Sequence, residues 1–339
     1  MKLRGAISGF GEVAAKAHLP GWFSREDTGI LAIHDPLAER RHEAIRLIKN
    51  VRVYDGLELM LDGEAPDFVD IASPPSFHAA SARLALGARA HVLVEKPLCM
   101  TLAEFDELQT LAAEYGRVLM CVHNWKHAPP YAAARRAIES GRLGAIRYVA
   151  LDRLRTAPAG AGGSGGAWRA NPASGGGILI DHGWHVFYLM QWLMGADPPV
   201  AVSAHLSSAI GGRAEDVADL RVRFPRERIA AAHLSWRAPV RRTSAMIYGE
   251  NAIIEIEGDR VLMTDRAGST QDLSAPDLPD DSYHSAWFAG VAGEFERAIT
   301  AGPGSHLALE NLAEARFALA LTIAARRSAE QGGIDVALA

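Results

Sequence analysis

The sequence predicts an α/β protein with two domains, a doubly wound parallel sheet followed by an α+β domain with a large, mostly antiparallel open sheet. Three observations predict this. Short apolar strands alternate with helical patterns over the first third of the chain. A glycine-rich turn follows the first strand, and after residue 122 helices and β-rich segments replace the alternation. We therefore divide the 339 residues into domains 1–122 and 123–339.

The strands of the first domain are near-continuous apolar runs, which is typical of a sheet covered by helices on both faces. Segments with apolar residues three and four apart separate them and indicate helices. Strands and helices in this alternation predict a parallel sheet with right-handed crossovers. Strands are expected at 3–8, 30–34, 67–72, 91–95 and 118–122, and helices at 37–50, 76–87 and 102–116.

The second domain begins with helical patterns and continues with short β-rich runs joined by turn residues. Such runs predict a meandering antiparallel sheet. Helices are expected at 131–141, 178–194, 285–300 and 308–331, and strands within 199–265. The glycine-rich stretch 157–177 is expected to be one long mobile loop.

Composition excludes several function classes. Hydrophobic residues make up 49% of the chain, charged residues 22%, and the net charge is −5, so nothing indicates a nucleic-acid partner. No apolar run is long enough to span a membrane, and Glu12 interrupts the apolar N-terminus, which argues against a secretory signal. Cys99 and Cys121 cannot form a disulfide framework. We expect a cytoplasmic protein that binds small molecules.

The first strand ends in a G-x-G-x-x-A motif. The first glycine allows a tight turn, the second lets the backbone approach a pyrophosphate, and the small third position lets the helix pack closely. Alone, such a motif also occurs at ordinary strand–helix turns. In this alternating context it indicates a Rossmann dinucleotide-binding domain. The motif consists of Gly9, Phe10, Gly11, Glu12, Val13 and Ala14.

Asp35 stands at the end of the second predicted strand, 26 residues after Gly9. An acid at this position accepts hydrogen bonds from the ribose hydroxyls and repels a 2′-phosphate, which favours NAD over NADP. Asp35-Pro36 is also a common turn sequence, and Arg40 and Arg41 could accommodate a phosphate. The cofactor is therefore expected to be NAD, with NADP possible.

The apolar segment 175–195 contains Asp181, His182 and His185. Three explanations compete: a metal site, a satisfied structural pair, or acid–base catalysis. A metal needs three or more converging ligands, and no Cys/His cluster accompanies the segment, so no metal is predicted. Asp181 and His185 are four residues apart and would share a helix face. A histidine with a pKa near ~6.5 can accept the proton that an alcohol loses on oxidation.

Longer motifs carry a resemblance to a known family. Residues 71–97 (IASPPSFHAASARLALGARAHVLVEKP) and 175–185 (GGGILIDHGWH) closely resemble the Gfo/Idh/MocA family of NAD(P)-dependent oxidoreductases, which act mostly on sugars, polyols and cyclitols. HLP (18–20), SGRLGAI (140–146) and WR (168–169) extend it over nearly the whole chain. The resemblance implies the same two domains and specifies no substrate.

The resemblance also implies roles for individual residues. Lys96, Asp181 and His185 match the family's catalytic constellation, and with Lys126 they form the expected substrate-binding set. Trp168 and Arg169 match a loop pair that folds over the nicotinamide. The expected cofactor-binding residues are Gly9, Phe10, Gly11, Glu12, Val13, Asp35, Ser73, Pro74, Pro75, His78, Glu95, Lys96, Asn124, Trp168 and Arg169.

The chain departs from the family pattern beside the substrate. Lys126 replaces an arginine and His127 an aromatic residue, while Tyr188 stands where many relatives carry an acid. A glucose-like or inositol-like specificity is therefore not implied. Tyr283 and His284 either reach the substrate site from the second domain or lie in an exposed loop.

The expected reaction transfers a hydride between nicotinamide and a secondary alcohol of a sugar, sugar derivative or cyclitol. His185 would be the general base, Lys96 would polarise the reacting oxygen, and Asp181 would orient His185 or a substrate hydroxyl. An NAD-dependent glycosidase using transient oxidation and a non-catalytic, sugar-sensing NAD-binding regulator are the alternatives. An open apolar sheet face would need a cover, which predicts a homodimer or homotetramer.

Overall fold

A computed structural model describes residues 2–158, 168–171, 174–195, 197–208, 214–275 and 283–338. These residues form two units. Unit 1 comprises the described residues of 1–124 and 278–316, and unit 2 those of 125–277 and 317–339. Most of the loop predicted at 157–177 lies outside the described residues.

Unit 1 contains a sheet in which every pairing is parallel and the strand order is 3-2-1-4-5-6. This is the order of a dinucleotide-binding sheet, with a topological switch point between β1 and β4. Within the described residues the strands are β1 (Leu3–Ser8), β2 (Thr28–His34), β3 (Arg52–Tyr54), β4 (Phe68–Ile71), β5 (His91–Val94) and β6 (Leu119–Cys121). The prediction missed β3, because three residues with a charge at one end carry no apolar period.

Helices connect these strands. The described helices of this part are α1 (Leu19–Phe23), α2 (Ala38–Leu47), α3 (Leu57–Glu64), α4 (His78–Gly87) and α5 (Leu102–Glu114). A π-helical segment, Ala14–His18, precedes α1. Helix α5 begins with a capping box in which Thr101 and Glu104 satisfy each other's backbone N–H groups. Helix α3 is a second element that the prediction missed.

The C-terminal part of the chain returns to unit 1 through α8 (Ser285–Ala301). The sequence-based division assigned this helix to the second domain. Its apolar face instead packs in unit 1, where Phe288 and Phe295 contact the rings of Trp22 and Phe68. Burial of these aromatic rings outweighs chain proximity in deciding which unit the helix joins.

Unit 2 is built on a mixed sheet with strand order 14-13-12-11-7-10-9-8-15, in which only the β7–β10 pairing is parallel among the described strands. The described strands are β7 (Ile146–Leu154), β8 (Ala201–Ser207), β9 (Val217–Arg223), β10 (Ile229–Ser235), β11 (Arg242–Gly249), β12 (Ala252–Glu257), β13 (Arg260–Asp265), β14 (Thr270–Asp272) and β15 (Val336–Ala337).

The helices of this part are α6 (Pro129–Glu139), α7 (Trp184–Met194) and α9 (His306–Glu330), and the division between the units falls within α9. The sequence predicted one regular helix over 178–194. The structure instead has a π-helical segment, Leu179–Gly183, before α7. Trp184 is fully buried, as core packing predicts. No helix among the described residues is long and apolar enough to cross a membrane.

Candidate active site

The glycine motif makes a turn that only glycine can make. Gly9 has φ +90°, and a Cβ there would lie 2.6 Å from the backbone nitrogen of Ser73. The loop after β1 therefore sits directly against the loop after β4, at the switch point of the sheet. A Cβ on Gly11 would meet no atom within 4 Å, whereas Ala14 is fully buried. The turn thus leaves space above its second glycine and packs its third position closely.

Asp35 braces this turn. Its Oδ2 accepts the backbone N–H of Phe10 at 2.7 Å, and its Oδ1 accepts the N–H of Leu37 at 2.9 Å. The second bond is an Asx turn, so the residue does serve the Asp-Pro turn considered as an alternative. Arg41 donates to the carbonyl oxygens of Asp35 and Pro36. Each carboxylate oxygen keeps further lone-pair capacity for a ribose hydroxyl.

Several of the predicted cofactor residues lie at one edge of the unit 1 sheet, whereas Trp168 and Arg169 lie in unit 2. Because the strands are parallel, residues that follow their carboxyl ends share that edge. The side-chain oxygens of Ser73 (Oγ) and Asn124 (Oδ1) are buried there without a hydrogen-bond partner among the described residues. The residues that follow β1, β2, β4, β5 and β6 at this edge include Gly9, Gly11, Asp35, Ser73, Glu95, Lys96 and Asn124.

His78 was expected to line the cofactor cleft, but its ring is buried and tied to the backbone. Nδ1 lies 2.6 Å from the carbonyl oxygen of Pro97, and Nε2 lies 2.7 Å from that of Ser73. Burial lowers the pKa of His78, and the contacts with the two carbonyl oxygens oppose this effect. His78 therefore links the loops after β4 and β5 rather than presenting a nitrogen to a ligand.

A buried charged network stands beside Lys96, and sequence reasoning missed it. His18 Nδ1 lies 2.9 Å from Asp70 Oδ2, and His18 Nε2 lies 3.2 Å from Glu95 Oε1. The ring stacks on Phe288 at 3.8 Å, and Trp22 donates its indole N–H to Asp70. The signal in the sequence was the histidine of HLP, which had been used only as a family motif.

His18 carries a positive charge in this network. Burial opposes protonation, but the charges and hydrogen bonds of Asp70 and Glu95 outweigh it and raise the pKa of His18 to about 9. Burial likewise opposes ionisation of Glu95, yet the hydrogen bond and charge of His18 lower its pKa. Glu95 Oε2 also accepts the backbone N–H of Lys96 at 2.8 Å. The peptide bond between Lys96 and Pro97 is cis.

Tyr283, a candidate for the substrate site, lies beside the glycine motif in unit 1. Its hydroxyl donates to Glu12 Oε2 at 2.5 Å and lies 3.3 Å from Lys16 Nζ. His284 stacks on Trp287 at 3.6 Å. Neither contact involves a predicted catalytic residue. Tyr283 therefore lies beside the glycine motif.

In unit 2, Asp181, His182 and His185 are all buried. His182 Nδ1 accepts the indole N–H of Trp236 at 2.9 Å. An indole nitrogen can only donate, so this contact fixes the His182 nitrogen as an acceptor. His182 is thus a satisfied core histidine. No group of three potential metal ligands occurs among the described residues.

Asp181 is held by the loop pair that the sequence singled out. Arg169 Nε lies 3.1 Å from Asp181 Oδ2, and the guanidinium lies 4.5 Å from the ring centroid of Trp168. Asp181 Oδ2 also lies 3.4 Å from His182 Nδ1. The prediction had Asp181 orient His185 or a substrate hydroxyl, and the contacts above connect its carboxylate to Arg169.

The three glycines at 175–177 allow this loop to approach. A Cβ on Gly176 would lie 2.5 Å from the carbonyl oxygens of Trp168 and Arg169. A Cβ on Gly177 would clash with the carboxylate of Glu215, whose backbone oxygen accepts the N–H of Ile178. The glycines thus bring the loop carrying Arg169 against the segment carrying Asp181.

His185 is fixed by aromatic residues. Its Nδ1 lies 3.0 Å from the hydroxyl oxygen of Tyr188, which also accepts the backbone N–H of Trp125 at 3.0 Å. The ring stacks on Trp125 at 4.6 Å. Tyr188, which departs from the family pattern, is therefore the residue that orients the imidazole.

Lys126 was expected to bind substrate. Its ammonium lies 5.3 Å from the ring centroid of Trp192, within cation–π range. Arg135 lies over the same ring. Trp192 therefore packs against two cations rather than in the apolar core alone.

Comparison with protein families matches both parts of the chain. Residues 3–123 match the GFO/IDH/MocA oxidoreductase family model, described as an NAD-binding Rossmann fold, and residues 131–255 match the GFO/IDH/MocA C-terminal domain. The solved structure of levoglucosan dehydrogenase in complex with NADH superposes with a TM-score of 0.87 at 22% identity and covers 100% of both chains. This similarity shows a shared fold.

Two curated proteins are similar in sequence. The D-glucoside 3-dehydrogenase of Escherichia coli (strain K12) is 31% identical over 210 residues, which cover 62% of this chain and 59% of the relative. The 1,5-anhydro-D-fructose reductase of Ensifer adhaerens is 27% identical over 247 residues, which cover 70% and 73%. The chain therefore spans less than two thirds of the length of the first of these relatives.

Proposed function

The chain belongs to the GFO/IDH/MocA oxidoreductase family, and we propose that it transfers a hydride between nicotinamide and a secondary alcohol of a sugar, sugar derivative or cyclitol. The observation that carries the proposal is His185, a buried imidazole held by Tyr188 and Trp125 in the unit that carries Asp181 and Arg169. Relatives named as sugar dehydrogenases and reductases support the substrate class.

The edge of the unit 1 sheet fits NAD. The open space above Gly11, the acid Asp35 and the buried Ser73 oxygen suit a diphosphate, a ribose and a further polar group. The backbone N–H groups that follow Gly11 open a helix and suit the negative diphosphate. When bound, NAD supplies the hydride acceptor, and the residues of this chain supply binding and proton transfer.

His185 is the proposed general base. In the tautomer with a proton on Nδ1, the ring donates to the Tyr188 oxygen, and Nε2 is the atom that accepts the alcohol proton. The stacked Trp125 ring restrains the imidazole and excludes water from one of its faces. His185 and Tyr188 form a base–orienter pair.

Lys96 and Asp181 are proposed to act on the substrate oxygens. Lys96 follows β5 and is anchored through its backbone N–H to Glu95, and its ammonium would stabilise a developing alkoxide. Asp181 would accept a hydrogen bond from a substrate hydroxyl, while Arg169 holds its carboxylate in place. Trp168 and Arg169 are proposed to contact the bound nicotinamide.

A homodimer or homotetramer formed through the unit 2 sheet remains part of the proposal. The open face around β7, β9 and β10 is less apolar than the sequence predicted. It includes Tyr148, Asp152 and His233, and His233 pairs with Asp219 at 2.6 Å. A second copy would therefore dock through polar as well as apolar contacts.

A panel of polyols, aldoses and cyclitols assayed with NAD and NADP in parallel tests the proposal. We expect NADH formation with at least one sugar or cyclitol, and its loss in His185→Ala. Hydrolysis of a glycoside without net NADH would indicate the glycosidase alternative. Sugar binding without any turnover would contradict the proposed reaction and favour a sensor.

A further inference from the structure

Two arginines lie side by side at the end of β7. Arg153 lies on β7 and Arg155 follows the last residue of that strand, where its backbone N–H still donates to the carbonyl oxygen of Ser235. The extended backbone therefore continues through Arg155, and the two side chains project from the same face. The guanidinium carbon of Arg153 lies 3.8 Å from the ring centroid of Trp125, and that ring stacks on His185. The Arg153 guanidinium and the imidazole of the proposed base therefore both contact the ring of Trp125.

Within the part of the chain that the structure describes, both guanidinium groups donate hydrogen bonds to neutral oxygens only. Thr243 Oγ1 accepts from Arg153 Nη1 at 2.6 Å and from Arg155 Nη2 at 3.2 Å. Arg155 Nη1 donates to the carbonyl oxygens of Leu154 and Arg242. Among the described residues, no carboxylate forms an ion pair with either arginine, and Arg153 Nε is buried without a hydrogen-bond partner.

The surroundings carry more positive charge than negative. Burial, followed by the nearby charge of Arg241, lowers the pKa of Arg155 to about 10. Burial and the charge of Arg155 lower the pKa of Arg153 strongly. Asp181 favours both charges, but it is already ion-paired with Arg169. Buried cations without a counter-ion are costly, and an anion would remove this cost.

We propose that Arg153 and Arg155 form an anion subsite, and that the substrate is a sugar or cyclitol derivative carrying a carboxylate or phosphate group. The inference rests on the proposed function, because it places the anionic group of the substrate near His185. A guanidinium presents a planar fork of N–H donors that matches the paired oxygens of either group. The stacked rings of Trp125 and His185 would lie between the anionic group of the substrate and its reacting alcohol.

The test compares substrates that differ in one group. D-gluconate and D-glucuronate carry a carboxylate, D-glucose 6-phosphate and myo-inositol 1-phosphate carry a phosphate, and D-glucose and myo-inositol are neutral. For each, turnover with NAD is measured in the parent, Arg153→Gln and Arg155→Gln. Arg147→Gln is the matched control, because Arg147 lies on the same strand but pairs with Glu250. Calorimetric titration measures binding independently of turnover.

We expect kcat/KM for one anionic class to exceed that of its neutral counterpart at least tenfold. Arg153→Gln should reduce this preference about 10- to 100-fold, mainly through KM, since it removes a charge-assisted hydrogen bond. Arg147→Gln should leave the preference unchanged. The class that responds identifies the anionic group as carboxylate or phosphate.

Equal turnover of neutral and anionic sugars would overturn the subsite and leave the proposed function intact. A loss in Arg153→Gln that is the same for both classes would also overturn it, since Arg153 would then only pack on Trp125. If no sugar is turned over, the proposed function fails, and titration decides the subsite. Millimolar or tighter binding of gluconate or the sugar phosphate that Arg153→Gln abolishes would support it, and unchanged or absent binding would overturn it.

Discussion

The glycine turn of unit 1 and the segment 175–188 of unit 2 are both glycine-rich stretches that carry proposed site residues, yet their geometry has different origins. In the turn, six consecutive residues determine the backbone, and one acid from the next strand, Asp35, braces it. In the segment, partners come from distant positions: Trp125, Arg169, Glu215 and Trp236.

The difference shows which part of a site is local. A turn that must adopt positive φ and approach another backbone requires glycine at a fixed place in a short motif, and its chemistry follows from strand order. A buried polar side chain acquires its role from whichever group satisfies it. Asp181, His182 and His185 lie within five residues of one another, yet each contacts a different further residue: Arg169, Trp236 and Tyr188, respectively.

The largest expected effect separates catalysis from structure in the segment. His185→Ala should still fold and bind NAD, because the proposed cofactor residues lie mainly in unit 1, while turnover falls about 10²- to 10⁴-fold. Thermal melts and turnover measured on the same preparation check this. His306→Ala, which removes a highly exposed histidine of unit 1, is the control.

A structural role for His185 predicts the opposite pattern. Loss of a buried partner would lower the free energy of unfolding by roughly 3–5 kcal/mol and spare turnover per folded molecule. Tyr188→Phe sharpens the test, since it removes the hydroxyl that orients the imidazole but keeps the ring. We expect it to reduce kcat and shift the pH profile of turnover, with Tm changed less than turnover.

The charged network of unit 1 predicts an alkaline loss of stability. His18 has a pKa raised to about 9, above the unfolded value of 6.5, so its contribution is complete below pH 6.5 and is lost as pH rises through 9. A shift of this size corresponds to about 3 kcal/mol. Urea denaturation between pH 6 and 10 should show the decline in the parent and a flatter profile in His18→Gln.

His91 supplies a control of opposite sign. Burial, followed by the charge of Arg117, lowers its pKa to about 4, so protonation destabilises the fold as pH falls from 6.5 towards 4. His91→Gln should therefore change the free energy of unfolding at acidic pH and leave the alkaline loss of stability in place. If His18→Gln still loses stability as the pH rises through 9, the charged state assigned to His18 is contradicted.

A smaller effect is expected from the glycines of the segment. Gly176→Ala places a methyl group 2.5 Å from two carbonyl oxygens of the turn that carries Arg169, and overpacking of this kind costs about 1–3 kcal/mol. We expect a lower Tm together with reduced turnover, because Arg169 is displaced from Asp181. Gly304→Ala, at a glycine with open space around its Cα, should change neither. Normal turnover in Gly176→Ala would show that the position of this turn does not affect catalysis.

The sequence predicted the parallel sheet, because short apolar strands alternate with helical patterns. It also predicted the tight turn after β1, because the glycine motif is local. It missed β3, because the strand is only 3 residues long, and it missed α3 as well. It placed α8 in the second domain, whereas the helix packs on Trp22 in unit 1, which is a long-range contact. For the same reason it could not find the His18 network. The His185–Tyr188 contact is local, three residues apart on α7, and it was missed because the prediction considered only Asp181 as a residue that orients His185. Burial and pairing depend on residues far apart in the chain.

The smallest effect concerns the acid that braces the glycine turn. The parent should bind NADH more tightly than NADPH, because the Asp35 carboxylate accepts from a ribose hydroxyl and repels a 2′-phosphate. Asp35→Asn removes the charge but keeps a side-chain oxygen for the Phe10 N–H, so the turn should survive and the preference should narrow about tenfold, or about 1.4 kcal/mol. Asp35→Ser, which shortens the side chain, should narrow this preference as well but also lower Tm.

Fluorescence titration with NADH and NADPH measures the ratio of the two affinities. Asp62→Asn, which changes an exposed acid on α3, should leave this ratio unchanged. Equal affinities in the parent would show that Asp35 acts on the turn alone.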